Sequence, residues 1–311
     1  MKLIRGLHNL SQPLDGCVAT IGNFDGLHLG HQHIIHQLKA VAERYQLPSV
    51  VIIFEPQPVE FFDPEHAPRR LARLRDKITR LAEMEIDFLL CLNFNAALAE
   101  LSAEQFIQNI LVDRLRLRHL VVGDDFRFGK KRLGDFELLK RSGAQLGFDV
   151  ENSHTLLIDG ERVSSTRIRR CLAHNDFVMA RQLLDRPYSL SGRVAHGKKL
   201  GRQLGFPTIN LRMGHRPVAV QGIFAVLVKG IDNQILRGVA SIGTRPTVNG
   251  VGTILEVYIL NFNEQIYRRC VEVEFLHKIR DEEKFDTLDA LKQKIADDID
   301  QATAFFDEHF E

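Results

Sequence analysis

The spacing of apolar residues changes once along the chain, near residue 186, and this change limits the fold more than any other feature. Before it, short apolar runs such as Cys17–Ile21 and Ser49–Phe54 alternate with helical patterns such as His28–Tyr45. This alternation predicts a parallel, doubly wound sheet with helices, a Rossmann-like α/β domain. After Pro187, strand-like segments follow one another through Gly, Asn and Asp turns. We therefore expect a C-terminal antiparallel β-barrel closed by a helix over 288–306.

The length of 311 residues predicts two domains, which we place at residues 1–186 and 187–311. Net charge is +1 at pH 7, and the longest aliphatic and aromatic run, Val50–Phe54, is far too short to span a bilayer. We therefore expect neither nucleic acid nor a membrane as a partner. The four cysteines form no C-x-x-C pair and the first residues lack an apolar signal segment. These features favour reduced thiols in a cytoplasmic protein, and they leave a homo-oligomer open.

A glycine-rich bend runs into Pro-Thr-Ile-Asn at residues 207–210. Glycines let backbone amides approach an anion closely. Pro207 indicates entry into an extended segment, in which Thr208 and Asn210 point to the same side. Two neutral oxygens suit Mg²⁺, which takes one or two protein ligands and completes its shell with water and phosphate oxygens. The alternative is a solvated turn that precedes a strand.

The strongest pattern of the first half reads Gly-Asn-Phe-Asp-Gly-Leu-His-Leu-Gly-His over residues 22–31, between the first strand and the first helix. Ligands of open α/β sheets bind where strands end against helix N-termini. His28 and His31 are three residues apart, so they share a face of the first helical turn and can donate to phosphates. His33 and His36 follow without completing a zinc ligand set, and we expect them at the surface.

Residues 22–31 resemble the H-x-G-H signature of the nucleotidylyltransferase superfamily, and Ser164-Ser-Thr-Arg-Ile-Arg169 resembles its second, phosphate-gripping signature. The whole chain resembles the bacterial bifunctional riboflavin kinase/FMN adenylyltransferase (FAD synthetase) family. Residues 192–211 resemble the kinase loop of that family, and Leu255-Glu256-Val257 the segment that carries its general base. Further similar segments are residues 54–62, 126–135, 238–247 and 275–280.

The resemblance implies that ATP phosphorylates riboflavin to FMN in the C-terminal domain, with Mg²⁺ as cofactor. It implies that a second ATP adenylylates FMN to FAD and pyrophosphate in the N-terminal domain. The implied catalytic residues are Glu256 for the kinase, and His28 and His31 for adenylyl transfer. The other implied site residues are, for ATP or phosphate, Gly22, Phe24, Gly30, Ser164, Ser165, Thr166, Arg169, Gly192, Gly197, Lys198 and Gly201; for flavin, Phe54, Pro56, Phe62, Asp125, Phe128 and Arg280; and for the metal, Thr208 and Asn210.

Some positions leave alternatives open. Asp125 stands where some family members carry Asn, and its carboxylate would repel an FMN phosphate unless Arg127 or a lysine compensates. Phe61 and Phe62 could equally belong to the core. Residues 192–199 fail as a Walker A motif because Lys199 stands where Ser or Thr is required.

Three other functions compete with this interpretation. The first is a pantetheine- or nicotinate-type nucleotidylyltransferase with an accessory barrel. The second is an RNA-binding protein, against which the balanced charge argues. The third is a flavin-binding regulator without catalysis, against which Glu256, Thr208 and Asn210 argue.

Overall fold

The computed structural model describes residues 1–10, 12–197, 201, 204–214, 217–247 and 250–310. The chain divides into two compact units. The first comprises Met1–Pro68 and Leu74–Ser164, and the second comprises Arg69–Arg73 and Ser165–Glu311. The two helices that immediately precede residue 186 are therefore grouped with the barrel, and the domain boundary at 186 stays a prediction.

The first unit contains a sheet, helices and one small hairpin. Its strands are β1 (Lys2–Arg5), β2 (Cys17–Ile21), β3 (Ser49–Glu55), β4 (Phe88–Asn93), β5 (Leu117–Gly123), β6 (Asp149–Ser153) and the hairpin β7 (Leu157–Ile158) and β8 (Glu161–Arg162). Its helices are α1 (Leu29–Tyr45), α2 (Pro58–Phe62), α3 (Leu74–Glu83), α4 (Ala96–Ala99), α5 (Ala103–Phe106) and α6 (Phe136–Leu146). Shorter helical turns are Leu7–Asn9 and Lys130–Arg132, and a π-helical turn is Ile107–Val112.

The six-stranded sheet has the order β1-β4-β3-β2-β5-β6, and every pairing in it is parallel. All five residues of β2 are buried, as expected where helices cover both faces of a parallel sheet. The predicted doubly wound sheet is confirmed. The chain runs from β2 to β3 and β4 on one side and then returns to β5 on the other side of β2. The strand order therefore reverses between β2 and β5, the place where such sheets bind ligands.

The second unit contains two helices, six strands and a C-terminal helix. They are α7 (Ser165–Ala173), α8 (Phe177–Leu184), β9 (Ser189–Ala195), β10 (Thr208–Gly214), β11 (Gly222–Ile231), β12 (Gln234–Thr247), β13 (Gly250–Ile259), β14 (Cys270–Arg280) and α9 (Leu288–His309).

The six strands form a closed antiparallel barrel in the order β10-β13-β12-β11-β14-β9, and β9 pairs with β10 to complete it. Helix α9 begins at the N-cap Thr287, whose side chain accepts from the Ala290 N–H at 3.2 Å. Ala302 and Phe306 of α9 pack on Ile223 and Ala225 of β11. The prediction of a barrel closed by a C-terminal helix is confirmed.

Two further features bear on the class of protein. Cys17, Cys91 and Cys171 are buried free thiols, and Cys270 is an exposed one. Among the helices in the described ranges, none is both long enough and apolar enough to cross a membrane.

Candidate active sites

The first candidate site is a stacked pair of histidines where β2 leads into α1. His28 is the N-cap of α1, and its Nδ1 accepts a hydrogen bond from the His31 backbone N–H at 3.3 Å. In a neutral ring this bond leaves the proton on Nε2. The two imidazole rings stack with centroids 3.6 Å apart and planes 17° apart. The structure thus brings together the two predicted histidines, whereas His33 and His36 are exposed.

The turn before these histidines has an unusual backbone. Phe24 and Leu27 adopt positive φ angles of 46° and 45°, a conformation that costs a non-glycine residue about 1–2 kcal/mol. Phe24 is 1% exposed, and its ring meets His31 edge-on at a centroid distance of 5.1 Å. A Cβ on Gly22 would come within 3.1 Å of the same phenylalanine ring. Phe24 therefore shapes the turn and supports His31 from inside the protein.

The environment of His31 keeps its ring neutral. Burial lowers the pKa of His31 well below its ordinary value of 6.5, and the nearby charges of His28, Lys77 and Arg162 lower it further. Among the described residues, Nδ1 of His31 is buried without a hydrogen-bond partner. A buried polar atom without a partner is rare and costs free energy, which makes this corner a candidate ligand site.

The second phosphate-binding signature begins beside the first. A Cβ on Gly30 would lie 3.3 Å from the Val163 carbonyl oxygen, so the residue before Ser164 packs on the first turn of α1. Ser165 and Thr166 form the first turn of α7, in the second unit. Arg169 donates through Nε to the Arg69 carbonyl at 2.6 Å. Joint use of the two signatures remains a prediction.

Asp125 has a cationic partner. The sequence suggested Arg127 or a lysine, but the partner in the structure is Arg162. Arg162 approaches Asp125 with Nη2 to Oδ2 at 3.0 Å and also lies 3.6 Å from Asp124. Arg127 instead pairs with Asp135 at 3.2 Å. The compensating cation at Asp125 is therefore Arg162, which the sequence does not reveal because it lies 37 residues away on the β7–β8 hairpin.

The aromatic residues predicted to bind flavin differ in exposure, since some lie at the surface and one lies in the core. Phe62 is 67% exposed and Phe61 is 38% exposed, so neither belongs to the core. Both rings contact Phe94, as does that of Phe54, with centroid distances between 5.5 and 5.7 Å. This exposed cluster offers ring faces to a planar ligand. Phe128 is 7% exposed and packs on Phe106 and Phe126, which makes it a core residue.

The second candidate site is a cavity of about 760 Å³ on the outer side of the barrel. Residues two apart on β10 and β13 line it, as the alternation of side chains in a strand requires. The helix α9 forms another wall through Leu291, Ile295 and Ile299. Its volume lies in the range of about 300–1,000 Å³ that small-molecule sites occupy. The lining residues on the barrel strands are Ala195, Thr208, Asn210, Arg212, Ile223, Val239, Ser241, Ile254, Glu256, Tyr258 and Arg280.

Glu256 lies at the centre of the barrel wall of this cavity. It is paired with Asn210 on one neighbouring strand and with Ser241 on the other. Residues directly opposite each other in antiparallel strands project to the same face at Cβ distances of about 4.5–5.5 Å. Ile209 is paired with buried Val257, so it projects away from this face. The structure therefore assembles Glu256, Thr208 and Asn210 around one cavity.

Two glycines of the loop after β9 pack directly on the predicted metal ligands. A Cβ on Gly197 would come within 2.6 Å of the Asn210 side-chain amide, and one on Gly201 would lie 3.4 Å from Thr208 Oγ1. A Cβ at residue 197 would therefore displace the Asn210 amide, and one at residue 201 would clash with the Phe206 carbonyl oxygen, whereas its distance to Thr208 is an ordinary contact. Gly192 differs from these two glycines, since it is buried in β9 with its Cα facing Leu211 and is not among the residues that line the cavity. The predicted phosphate contact of Lys198 lies outside the described residues.

Arg280 is held by an acidic residue of α9. Its Nε and Nη2 donate to the two carboxylate oxygens of Asp298, each at 2.7 Å. The side chains are 13% and 4% exposed, so this ion pair is well shielded from water. The sequence predicted Arg280 as a flavin contact but did not single out Asp298, which looks like one of several acidic residues on a solvated helix.

A smaller cavity of about 230 Å³ adjoins the same strand and also includes Thr208 in its lining. Its other walls are mainly apolar, with amide side chains of Asn263 and Gln265 at one side. Within the described ranges, no group of three or more His, Cys, Asp or Glu side chains could hold a metal ion by itself. A metal at Thr208 and Asn210 would therefore need oxygens from a ligand.

Known proteins match both halves of the chain in the same order. The FAD synthetase family matches residues 10–167, and the riboflavin kinase family matches residues 184–306. A bifunctional riboflavin kinase/FMN adenylyltransferase from Haemophilus influenzae is 46% identical over 98% of this chain and 99% of its own. One from Pseudomonas fluorescens is 51% identical over 98% of this chain and 97% of its own. A solved structure described as a macrolide-efflux protein from Streptococcus pneumoniae is 29% identical, with a TM-score of 0.77 over 97% of this chain and 98% of that one.

A parallel nucleotidylyltransferase-type sheet joined to a closed barrel with its own cavity defines a class of two-domain, two-site transferases. Within this class, the chain belongs to the bifunctional riboflavin kinase/FMN adenylyltransferase family. The resemblance found in the sequence is confirmed, and so are the two enzyme activities. The alternatives of a pantetheine- or nicotinate-type enzyme, an RNA-binding protein and a non-catalytic regulator are set aside.

Proposed function

We propose that riboflavin is phosphorylated in the barrel cavity and that FMN is adenylylated at the histidine pair, with the domains divided at residue 186. The observation that carries the proposal is the placement of Glu256 directly opposite Asn210 in a cavity of about 760 Å³. In this arrangement a base would lie beside a phosphate-binding corner in one unit. The stacked pair of His28 and His31 lies in the other unit.

In the kinase step, the riboflavin 5′-hydroxyl oxygen forms a bond to the γ-phosphorus of ATP while the bond to ADP breaks. Glu256 accepts the hydroxyl proton, a general-base contribution worth roughly 10²–10⁴-fold. The apolar side chains of Ile223, Val239 and Ile295 line the cavity where the isoalloxazine ring would lie. Arg280, oriented by Asp298, would donate to polar groups of the flavin.

Thr208 and Asn210 would hold Mg²⁺ together with ATP phosphate oxygens. The described lining residues include four acidic side chains, Glu256, Glu282, Glu283 and Asp298, but only two arginines, Arg212 and Arg280. A triphosphate would be repelled by this excess of negative charge unless a cation accompanied it. When bound, Mg²⁺ would neutralise the charge that develops on the departing phosphate. The loop glycines Gly197 and Gly201 would surround the phosphates, and the cavity of about 230 Å³ that shares Thr208 would take the adenine.

In the adenylyltransferase step, a phosphate oxygen of FMN forms a bond to the α-phosphorus of ATP while pyrophosphate leaves. The attacking oxygen is already anionic, so orientation and charge stabilisation replace a strong base. His28 would donate through Nε2 to the leaving phosphates. The backbone of the turn and the second signature would bind the remaining oxygens, through Gly22, Phe24, Gly30, Ser164, Ser165, Thr166 and Arg169.

The exposed aromatic cluster at the ends of β3 and β4 would bind the FMN ring. Phe54, Pro56 and Phe62 supply this surface, and Phe62 has the most accessible ring. Asp125, neutralised by Arg162, would lie near the FMN phosphate or ribityl chain. Phe128 would support this region from the core rather than by touching the flavin.

The proposed partners are riboflavin, FMN, FAD and ATP, without nucleic acid or membrane, and with a homo-oligomer left open. Because the four cysteines form no C-x-x-C pair, we propose a reducing compartment, the cytoplasm.

Reciprocal variants test the division of labour. With purified protein, riboflavin and Mg-ATP, Glu256→Gln should abolish FMN formation yet convert added FMN to FAD at the wild-type rate. The double variant His28→Ala, His31→Ala should accumulate FMN from riboflavin without making FAD. Chromatography of the flavins over time measures both. Loss of both activities in a folded Glu256→Gln protein, or normal FAD formation by the double histidine variant, would contradict the proposal.

A further inference from the structure

A buried lysine of the first unit stands apart from the proposed catalytic and binding residues. Lys77 lies on α3 and is 0% exposed, although lysine is rarely buried completely. On the same face of α3, Leu81 packs into the hydrophobic core. Taking an ammonium group out of water costs several kcal/mol unless the protein supplies partners for it. A charge in such a place therefore needs a functional or structural reason.

The Lys77 ammonium reaches the turn that carries the adenylyltransferase site. Nζ donates to the Asn23 carbonyl oxygen at 2.5 Å. The next residue, Phe24, has a positive φ angle and contacts His31. Lys77 thus fixes the turn at the carbonyl that precedes its strained residue, and the ring of that residue supports the histidine.

The same ammonium acts on the histidine through its charge. The groups that lower the pKa of His31 come from three elements: His28 from the N-cap of α1, Lys77 from α3 and Arg162 from β8, and all of them add to the effect of burial. Lys77 is the one of these whose charge is completely shielded from solvent, so salt screens it least.

We propose that Lys77 is a positioning residue of the adenylyltransferase site. It orders the Gly22–Leu27 turn through the Asn23 carbonyl and places a fixed positive charge beside His31, where the ATP phosphates would bind. The inference rests on the proposed placement of adenylyl transfer at His28 and His31.

Three substitutions separate charge from packing in the full-length protein. Lys77→Met removes the charge and the donor, Lys77→Gln removes the charge but keeps a polar group, and Lys77→Arg keeps the charge. We expect kcat/KM for FAD formation from FMN and Mg-ATP to fall at least tenfold in Lys77→Met and Lys77→Gln, and Lys77→Arg to retain most of it. Riboflavin kinase activity of the same molecules should stay within about twofold of wild type, a difference below 0.5 kcal/mol.

A second readout follows the His31 ring itself. In wild-type protein its imidazole C2–H resonance, assigned by its loss in His31→Gln, should titrate well below the ordinary histidine value of 6.5, because the buried ring resists protonation. In Lys77→Met and Lys77→Gln the titration midpoint should move upward, and in Lys77→Arg it should not. A residue that only fills space would not move this midpoint.

Lys39→Met is the matched control. Lys39 also donates through Nζ to a backbone carbonyl, that of Met84 at 2.8 Å, in the same unit. This variant should leave FAD formation and the His31 titration unchanged. The inference is overturned if Lys77→Gln and Lys77→Arg share the same FAD rate and the same His31 midpoint, a comparison that holds even if Lys77→Met unfolds. If the double histidine variant also keeps full FAD formation, the proposed site itself is wrong; if that variant loses it, only the role of Lys77 fails.

Discussion

The pair of Arg280 and Asp298 predicts how α9 contributes to the kinase site. Asp298→Asn keeps the shape of the side chain but removes the charge that both 2.7 Å hydrogen bonds depend on. Breaking a buried ion pair from one side costs about 3–5 kcal/mol, because the remaining charge stays buried. Arg280 keeps its hydrogen bond to the Asp281 carbonyl at 2.9 Å and lies 3.7 Å from Glu283, which limits the loss. We therefore expect Asp298→Asn to cost about 2–3 kcal/mol of unfolding free energy, at or just below the lower limit of that range.

This loss should appear in both stability and kinetics. At about 2–4 °C per kcal/mol, the melting temperature of the barrel unit should fall by about 4–12 °C. Because Leu291, Ile295 and Ile299 of the same helix line the cavity, the KM for riboflavin should rise several-fold, and FAD formation from added FMN should not change.

Calorimetry and steady-state assays on purified protein measure these effects. Asp300→Asn is the matched control, since Asp300 lies on the same helix but is exposed. The reasoning is refuted if Asp298→Asn behaves like Asp300→Asn in both melting temperature and riboflavin KM. It is also refuted if the melting temperature falls but the KM for riboflavin does not change, because the pair would then stabilise the barrel without shaping the cavity.

Two further predictions follow from other parts of the structure. Gly197→Ala should lower kcat/KM of the kinase at least tenfold and leave FAD formation intact, because its Cβ would come within 2.6 Å of the Asn210 amide; flavin chromatography measures both. The burial of His31, with the charges of His28, Lys77 and Arg162, lowers its pKa, so below its ordinary value of 6.5 the unfolded chain binds a proton that the folded protein does not. The unfolding free energy of the first unit should therefore fall as pH drops below about 6.5, and His31→Gln should make this dependence shallower in urea titrations. An equally steep dependence in His31→Gln would assign the effect to another group.

Much of the fold was predictable because its signals are local. The predicted strand Cys17–Ile21 is found with the same bounds, and the predicted helix His28–Tyr45 differs only in that His28 caps it. The strands β1 and β6 were missed for physical reasons. With four residues, β1 is too short to show a period, and Asp149, Glu151 and Asn152 interrupt the apolar pattern of β6. Both strands form because they pair with β4 and β5 at the two edges of the sheet.

The candidate sites were predictable where the repeat of a strand or helix brings functional side chains to the same face. Thr208 and Asn210 face one cavity because side chains alternate along a strand, and His28 and His31 stack because residues three apart share a helix face. Gly192 shows that a glycine in this stretch of sequence does not by itself indicate a phosphate contact. It looks like its neighbours in the glycine-rich loop, but its Cα faces Leu211 inside the barrel, so tight packing explains it rather than phosphate binding.

The residues that the sequence did not reveal act across long separations. Lys77 lies 54 residues from the carbonyl that it binds, and Asp298 lies 18 residues from its arginine on a different element. On α3 and α9 these residues look like ordinary charges of solvated helix faces, and only tertiary packing shows that they are buried. Each is a charge that the fold holds away from water beside a candidate site. A buried charge next to a ligand site keeps a fixed orientation and is weakly screened, so it can act on a phosphate or a flavin more strongly than a surface charge at the same distance.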